Sequence, residues 1–248
     1  MSAGCTPSKE SSNPVSRLHV FAASSLTEAF QALEVAYESK HPEVEIALNL
    51  SGSQILRTQI QNGAQAHVFA SANPLHVQAL QEASLVNQQE IFAYNRLALL
   101  IPHNNPGKLQ DLKDLPKVRR LVVGNEHTPI GQYTRDMMKK ASLDFGPNFK
   151  DRVWGQVVSE EPNARLLRSK VEMGAVDAAV VYESDTITAQ DTKTVSIPEE
   201  YNVEAEFTLA TLATSRHSNA ADSFFEFVLS QEGQELLKEH GFIGLDKS

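Results

Sequence analysis

A chain of 248 residues with 41% hydrophobic content is long enough to bury a sizeable core, as one large domain or two of ordinary size. Its formal net charge of -9 argues against a nucleic-acid partner held through phosphate contacts on a basic face. A single cysteine, Cys5, excludes an internal disulfide and a cysteine-based metal cluster, and no stretch approaches the roughly 18 apolar residues of a membrane span.

Residues 1–16 read as a flexible tether. "MSAGC" followed by "TPSKESSNPVS" places small residues before the cysteine and a polar run after it, which resembles the processed end of a bacterial lipoprotein. In that reading an apolar signal segment precedes Cys5, Cys5 carries lipid, and the folded part sits outside the cytoplasmic membrane.

From Arg17 onward, strand-like and helix-like segments alternate. "RLHVFAA" leads to the helix "LTEAFQALEVAYESKH", "VEIALNL" to "SQILRTQIQNG", and "HVFASA" to "NPLHVQALQEASL". Three βα units in succession call for a mostly parallel sheet with helices on both faces. The pattern restarts near Ala93. "NRLALLIP" is a strand, "KLQDLKDL" a short helix, "RRLVVGN" a strand and "GQYTRDMMKKASL" a helix, followed by "VWGQVV", the helix "NARLLRSKVEMG" and "VDAAVVYESD". The strand "AEFTLATLATS" and the helix "ADSFFEFVLSQEGQELLKEHG" have the form needed to complete the first unit. The expected organisation is therefore α/β and two-lobed, with lobe 1 formed by 17–93 and 205–248, lobe 2 by 94–204, and a ligand cleft between them.

Four strand-to-helix corners share one chemistry. Ser24-Ser25 opens the first helix, and Ser25 with Glu28 three positions on matches a capping box that turns Glu28 toward backbone and solvent. Ser51-Gly52-Ser53 opens the second, Thr128 with Pro129, Ile130 and Gly131 a third, and Asn163 with Ala164 a fourth. Each helix start presents unpaired N–H groups and a dipole that favours negative charge. A single such corner is an ordinary cap. Several converging on one point would form an oxyanion cage.

The blocks "VFAASSLTEAF", "SGSQILRTQIQNGAQAHVFASA", "VGNEHTPIGQY" and "VEMGAVDAAVVYESD" resemble, in order and spacing, the molybdate/tungstate-binding proteins of bacterial ABC importers, over Arg17 to Phe242. The resemblance implies a type II periplasmic-binding-protein fold, with a mostly parallel sheet in each lobe. It implies an oxyanion between the lobes held by neutral donors: the hydroxyls of Ser25, Ser53 and Tyr182 and the backbone amides of Ile130 and Ala164. It further implies no catalysis and no cofactor, a molybdate or tungstate ligand, delivery to an ABC permease, a monomer, and a periplasmic or outer-face location, lipid-anchored through Cys5. Ile130 stands where the family commonly has a small residue, and Asn163 where it often has an acid. Arg165 is the one basic residue immediately beside a proposed donor.

Other classes fit less well. A nucleophile elbow needs G-x-S-x-G, and "FAASSLT" lacks both glycines. None of the eight histidines forms an H-x-x-x-H pair. A ferric site would have to be assembled from Tyr182, Glu183, Tyr133 and His127, leaving the serine corners unused. Sulfate remains an alternative oxyanion, because cavity size distinguishes it from molybdate.

Overall fold

The computed structural model describes residues 16–213 and 218–246. Cys5 lies outside the described residues. Two five-stranded sheets divide the chain. The first has the order β2-β1-β3-β10-β4 and the second β7-β6-β8-β5-β9.

In lobe 1, β1 (Ser16–Ala23), β2 (Val44–Ser51), β3 (Val68–Ser71) and β4 (Val86–Asn95) alternate with helices α1 (Thr27–Lys40), α2 (Ser53–Gln61) and α3 (Pro74–Glu82). The chain crosses at Arg96 into lobe 2, which holds β5 (Leu97–Pro102), β6 (Leu121–Gly124), α4 (Pro129–Phe145), α5 (Phe149–Trp154), β7 (Val157–Glu161), α6 (Ala164–Glu172), β8 (Ala178–Tyr182), α7 (Glu183–Ile187) and β9 (Thr192–Ser196). It returns through β10 (Ala205–Leu212) to the first sheet and ends in α8 (Ser218–Leu229) and α9 (Gln231–Glu239) against lobe 1.

Both sheets are mixed. In each, two parallel pairings carry the βα units, β1 with β2 and β3, and β6 with β7 and β8. The strand that enters from the other lobe runs backwards: β5 pairs antiparallel with β8 and β9, and β10 with β3 and β4. A chain that has just crossed the hinge enters the sheet from the cleft end, so it must run opposite to strands that finish there. The two crossings are tied together by Asn202, whose Oδ1 accepts from Leu97 N–H at 3.0 Å and whose Nδ2 donates to Leu97 O at 2.9 Å. Beside them, Asn95 Nδ2 donates to Ser184 Oγ at 2.8 Å.

The core of lobe 1 explains why the C-terminal helices belong to it. Phe30 of α1 is fully buried, with edge-to-face contacts to Phe92 of β4 and Phe224 of α8. Tyr37 meets Phe224 edge-on at 5.2 Å. Fully burying side chains of this size contributes about 1.5–3 kcal/mol each.

Several local expectations are corrected. β4, β9 and α5 have no counterpart in the hydrophobic pattern. Val153 and Trp154 end α5 and do not begin a strand, β7 starting only at Val157. The single C-terminal helix expected from Ala221 to Gly241 is two helices, because Ser230 caps α9 by accepting from Gly233 N–H at 3.3 Å.

Candidate functional site

The ends of three parallel strands from each lobe converge on one small cavity between the lobes, about 10 Å3 in volume. Lobe 1 contributes Ala23, Ser24 and Ser25 after β1, Gly52, Ser53 and Gln54 after β2, and Ala72 after β3. Lobe 2 contributes Thr128, Pro129 and Ile130 after β6, Asn163 and Ala164 after β7, and Tyr182 at the end of β8. Ligands of open α/β sheets gather at such strand ends, where helix N-termini point inward. All five residues singled out from the sequence, Ser25, Ser53, Ile130, Ala164 and Tyr182, line this one cavity. Among its described lining residues none is charged.

The corners differ in how their donors are left free. Ser25 is not a helix cap. A 3-10 turn, Ser24–Leu26, separates β1 from α1, and neither that turn nor α1 has a side-chain cap. The capping box expected from Ser25 and Glu28 is therefore absent, and both serines border the cavity. At α2, Gly52 occupies the cap position, and its carbonyl accepts from Ile55 and Leu56. Ser53 Oγ accepts the Ala72 N–H at 3.1 Å, so the hydroxyl proton of Ser53 remains available to a ligand.

In lobe 2, Thr128 Oγ1 accepts from Gly131 N–H at 3.0 Å and donates to Asn125 O at 2.7 Å. The Gly131 amide, expected to be free, is thus consumed by the cap, whereas the cap does not take the N–H of Ile130, a lining residue of the cavity. Glycine at 131 is required sterically, since a Cβ there would stand 1.9 Å from Asn125 O. The Ile130 side chain packs on Gly124, whose ideal Cβ would meet Ile130 Cγ2 at 2.6 Å. Asn163 caps α6 through Leu166 N–H at 3.0 Å, which leaves the Ala164 amide unconsumed by the cap.

Tyr182 is 1% exposed, and its hydroxyl pairs with no described protein group. Burial, followed by the neighbouring Tyr133 and Asp185, pushes its pKa well above the ordinary tyrosine value, so it stays protonated and can donate. A buried hydroxyl left unpaired carries a desolvation cost that a ligand would relieve.

Contacts across the cleft bring the lobes together around this cavity, and the sequence pattern does not reveal them. Gln54 Nε2 donates to Pro162 O at 2.7 Å, while its buried Oε1 has no partner among the described residues. Asn73 Nδ2 donates to Gln132 Oε1 at 2.8 Å. Glu28 does not face solvent as a capping-box acid would. Its Oε1 accepts from Arg165, and lies 3.4 Å from both Arg168 Nη1 and Thr188 Oγ1. Burial alone would raise the Glu28 pKa, but hydrogen bonds to Arg165 and to its own backbone N–H, with the charges of Arg165 and Arg168, outweigh it and hold the carboxyl below its ordinary value. Among the described residues no group of three His, Cys, Asp or Glu is arranged to hold a metal ion.

The chain matches the family model described as bacterial extracellular solute-binding protein over residues 18–243. It is 30% identical over 226 residues to the molybdate-binding protein ModA of Mycobacterium tuberculosis, covering 90% of this chain and 83% of that one. It is 25% identical to the molybdate-binding protein ModA of Escherichia coli, covering 91% and 88%. Among solved structures, the periplasmic molybdate-binding protein of Azotobacter vinelandii superposes with a TM-score of 0.79 over 91% of this chain and 98% of that one, at 19% identity, a likeness of fold. The strand-end cavity sits on the two-lobed α/β scaffold of type II periplasmic binding proteins, and the chain belongs to the bacterial extracellular solute-binding protein family.

Proposed function

We propose that this protein is the extracytoplasmic receptor of an ABC importer and that it captures molybdate or tungstate. In this reading the dianion accepts hydrogen bonds from Ser25 and Ser53 in lobe 1 and from the Ile130 amide, the Ala164 amide and the Tyr182 hydroxyl in lobe 2. The observation that carries it is the Tyr182 hydroxyl, buried, protonated and unpaired among uncharged donors supplied by both lobes. The relatives named for molybdate binding, one of them 30% identical, support the same ligand.

The chemistry favours an unprotonated tetrahedral anion. Each hydrogen bond to a charged group contributes about 1.5–3 kcal/mol, so these five, far from additive, support submicromolar affinity, about -8 kcal/mol or better. The net charge of -9 acts at long range and is screened within about 8–10 Å, so it slows capture without preventing binding. Closure over the ion would present both lobe tips to a permease as one surface. The receptor acts as a monomer, and Cys5 carries the lipid that tethers it to the outer face of the membrane.

A thermal-shift and calorimetry series with molybdate, tungstate, sulfate, phosphate and ferric citrate tests the assignment. Molybdate and tungstate at 100 times their dissociation constant stabilise the fold by about 2.7 kcal/mol. A shift with ferric citrate alone contradicts the cage, and equal shifts with sulfate and molybdate contradict the ligand choice.

A further inference from the structure

We propose that Glu28 is a positioning residue for anion capture: from lobe 1 it grips Arg165 and Arg168 of lobe 2 and so holds the first turn of α6, with the Ala164 amide, against the cavity. This rests on the oxyanion reading above.

The two arginines play different parts. Arg168 is held within lobe 2 whether or not lobe 1 is near. Its Nε donates to Glu172 Oε1 at 2.8 Å, its Nη1 to Thr188 Oγ1 at 2.7 Å, and its Nη2 to the Thr188 carbonyl. Its side chain is only 8% exposed. Arg165 is half-exposed, and its side chain bonds to Glu28 across the cleft. It directly follows Ala164, so the grip on Arg165 acts one peptide away from the donor amide. Glu28 itself stands one turn beyond Ser25, which places the bridge beside the proposed ligand on both lobes.

Charge decides whether this arrangement helps or hinders. A lone carboxylate one turn from Ser25 would repel a dianion. Here Arg165 and Arg168 face Glu28, with Glu172 and the buried Asp185 also beside them, so the Glu28 charge is offset locally and its attraction joins the lobes. Exposed ion pairs contribute little, but this one is partly buried, is shared between two guanidiniums and spans the two lobes. Loss of a partly buried charge pair that joins the lobes over a ligand appears chiefly in the rate of ligand release.

Stopped-flow release of molybdate is measured for the wild-type chain, Glu28→Gln, Arg165→Gln and the double variant, with ligand-free melting curves to check folding. The expected result is release about ten-fold faster in each single variant, with the double variant no faster than the faster single one. Raising salt from about 0.05 M to about 0.5 M accelerates wild-type release more than that of Glu28→Gln. Arg165→Gln, at a half-exposed position, serves if Glu28→Gln fails to fold. Slower release and tighter binding in Glu28→Gln would show simple repulsion and overturn the proposal. Release within two-fold of wild type in both single variants would overturn it while leaving the oxyanion function standing. A wild-type chain that binds neither molybdate nor tungstate would remove the function and this inference with it.

Discussion

Ser53 Oγ accepts the N–H of Ala72, two short strand-end segments joined at 3.1 Å. The bond occupies a lone pair of the hydroxyl and leaves its proton free to donate. Ser53→Ala deletes both the acceptor for a buried amide and the proposed donor to the ligand. Urea denaturation of the ligand-free variant is expected to show a loss of about 1–3 kcal/mol, and calorimetry a molybdate affinity weaker by about 1.5–3 kcal/mol.

Tyr182→Phe separates binding from folding in the opposite way. The wild-type hydroxyl is buried without a protein partner, so its removal leaves no group newly stranded. Ligand-free stability is expected to hold or to rise by up to about 1 kcal/mol, while oxyanion affinity falls by about 1.5–3 kcal/mol. Parallel melting curves and titrations check both signs, and a variant that loses stability and keeps affinity refutes the role given to this hydroxyl.

Gly52 makes lobe closure sterically possible. A Cβ at this residue would lie 2.4 Å from Pro162 O on the opposite lobe, although the backbone φ of -64° suits any residue. Gly52→Ala is therefore expected to fold normally and to resist closing. Small-angle scattering with saturating molybdate should show no compaction in the variant, and calorimetry at least a ten-fold loss of affinity.

Two buried groups give stability opposing pH slopes. Burial pushes the Asp185 carboxyl up to about 7, against its hydrogen bond from Tyr182 N–H and the charge of Arg168. The native state then binds more protons than the unfolded chain between about pH 4 and 7, and stability falls as pH rises through that window. Burial, and then the charge of Arg57, lowers His76 to about 4. Here the unfolded chain binds more protons between about pH 4 and 6.5, and stability falls as pH drops. The two slopes largely offset each other in the wild type. Denaturation between pH 4 and 7.5 should show a steeper acid loss in Asp185→Asn and a gain toward acid in His76→Gln.

How much was legible in the sequence followed from burial and from distance along the chain. β3, β5, β6, β8 and the Val20–Ala23 half of β1 are buried on both faces and read as mostly apolar runs. β4 is an edge strand with exposed Asn87, Gln88 and Glu90, and its pairing with β10 comes from far along the chain, so no local pattern marks it. At the site, the Thr128 and Asn163 caps were readable because each acts three residues ahead. The cap assigned to Ser25 failed because a 3-10 turn displaces the helix start by one residue, from Leu26 to Thr27. Gln54 with Pro162 and Glu28 with Arg165 were not readable, since each joins residues more than 100 positions apart that meet only when the lobes do.

The most direct measurement is anomalous diffraction from crystals grown with tungstate, whose metal scatters strongly enough to be located without reference to the protein. The account predicts one strong peak between the lobes, with its oxygens within hydrogen-bond distance of Ser25 Oγ, Ser53 Oγ, the Ile130 and Ala164 amides and the Tyr182 hydroxyl. A peak elsewhere, or none at saturating tungstate, would contradict it.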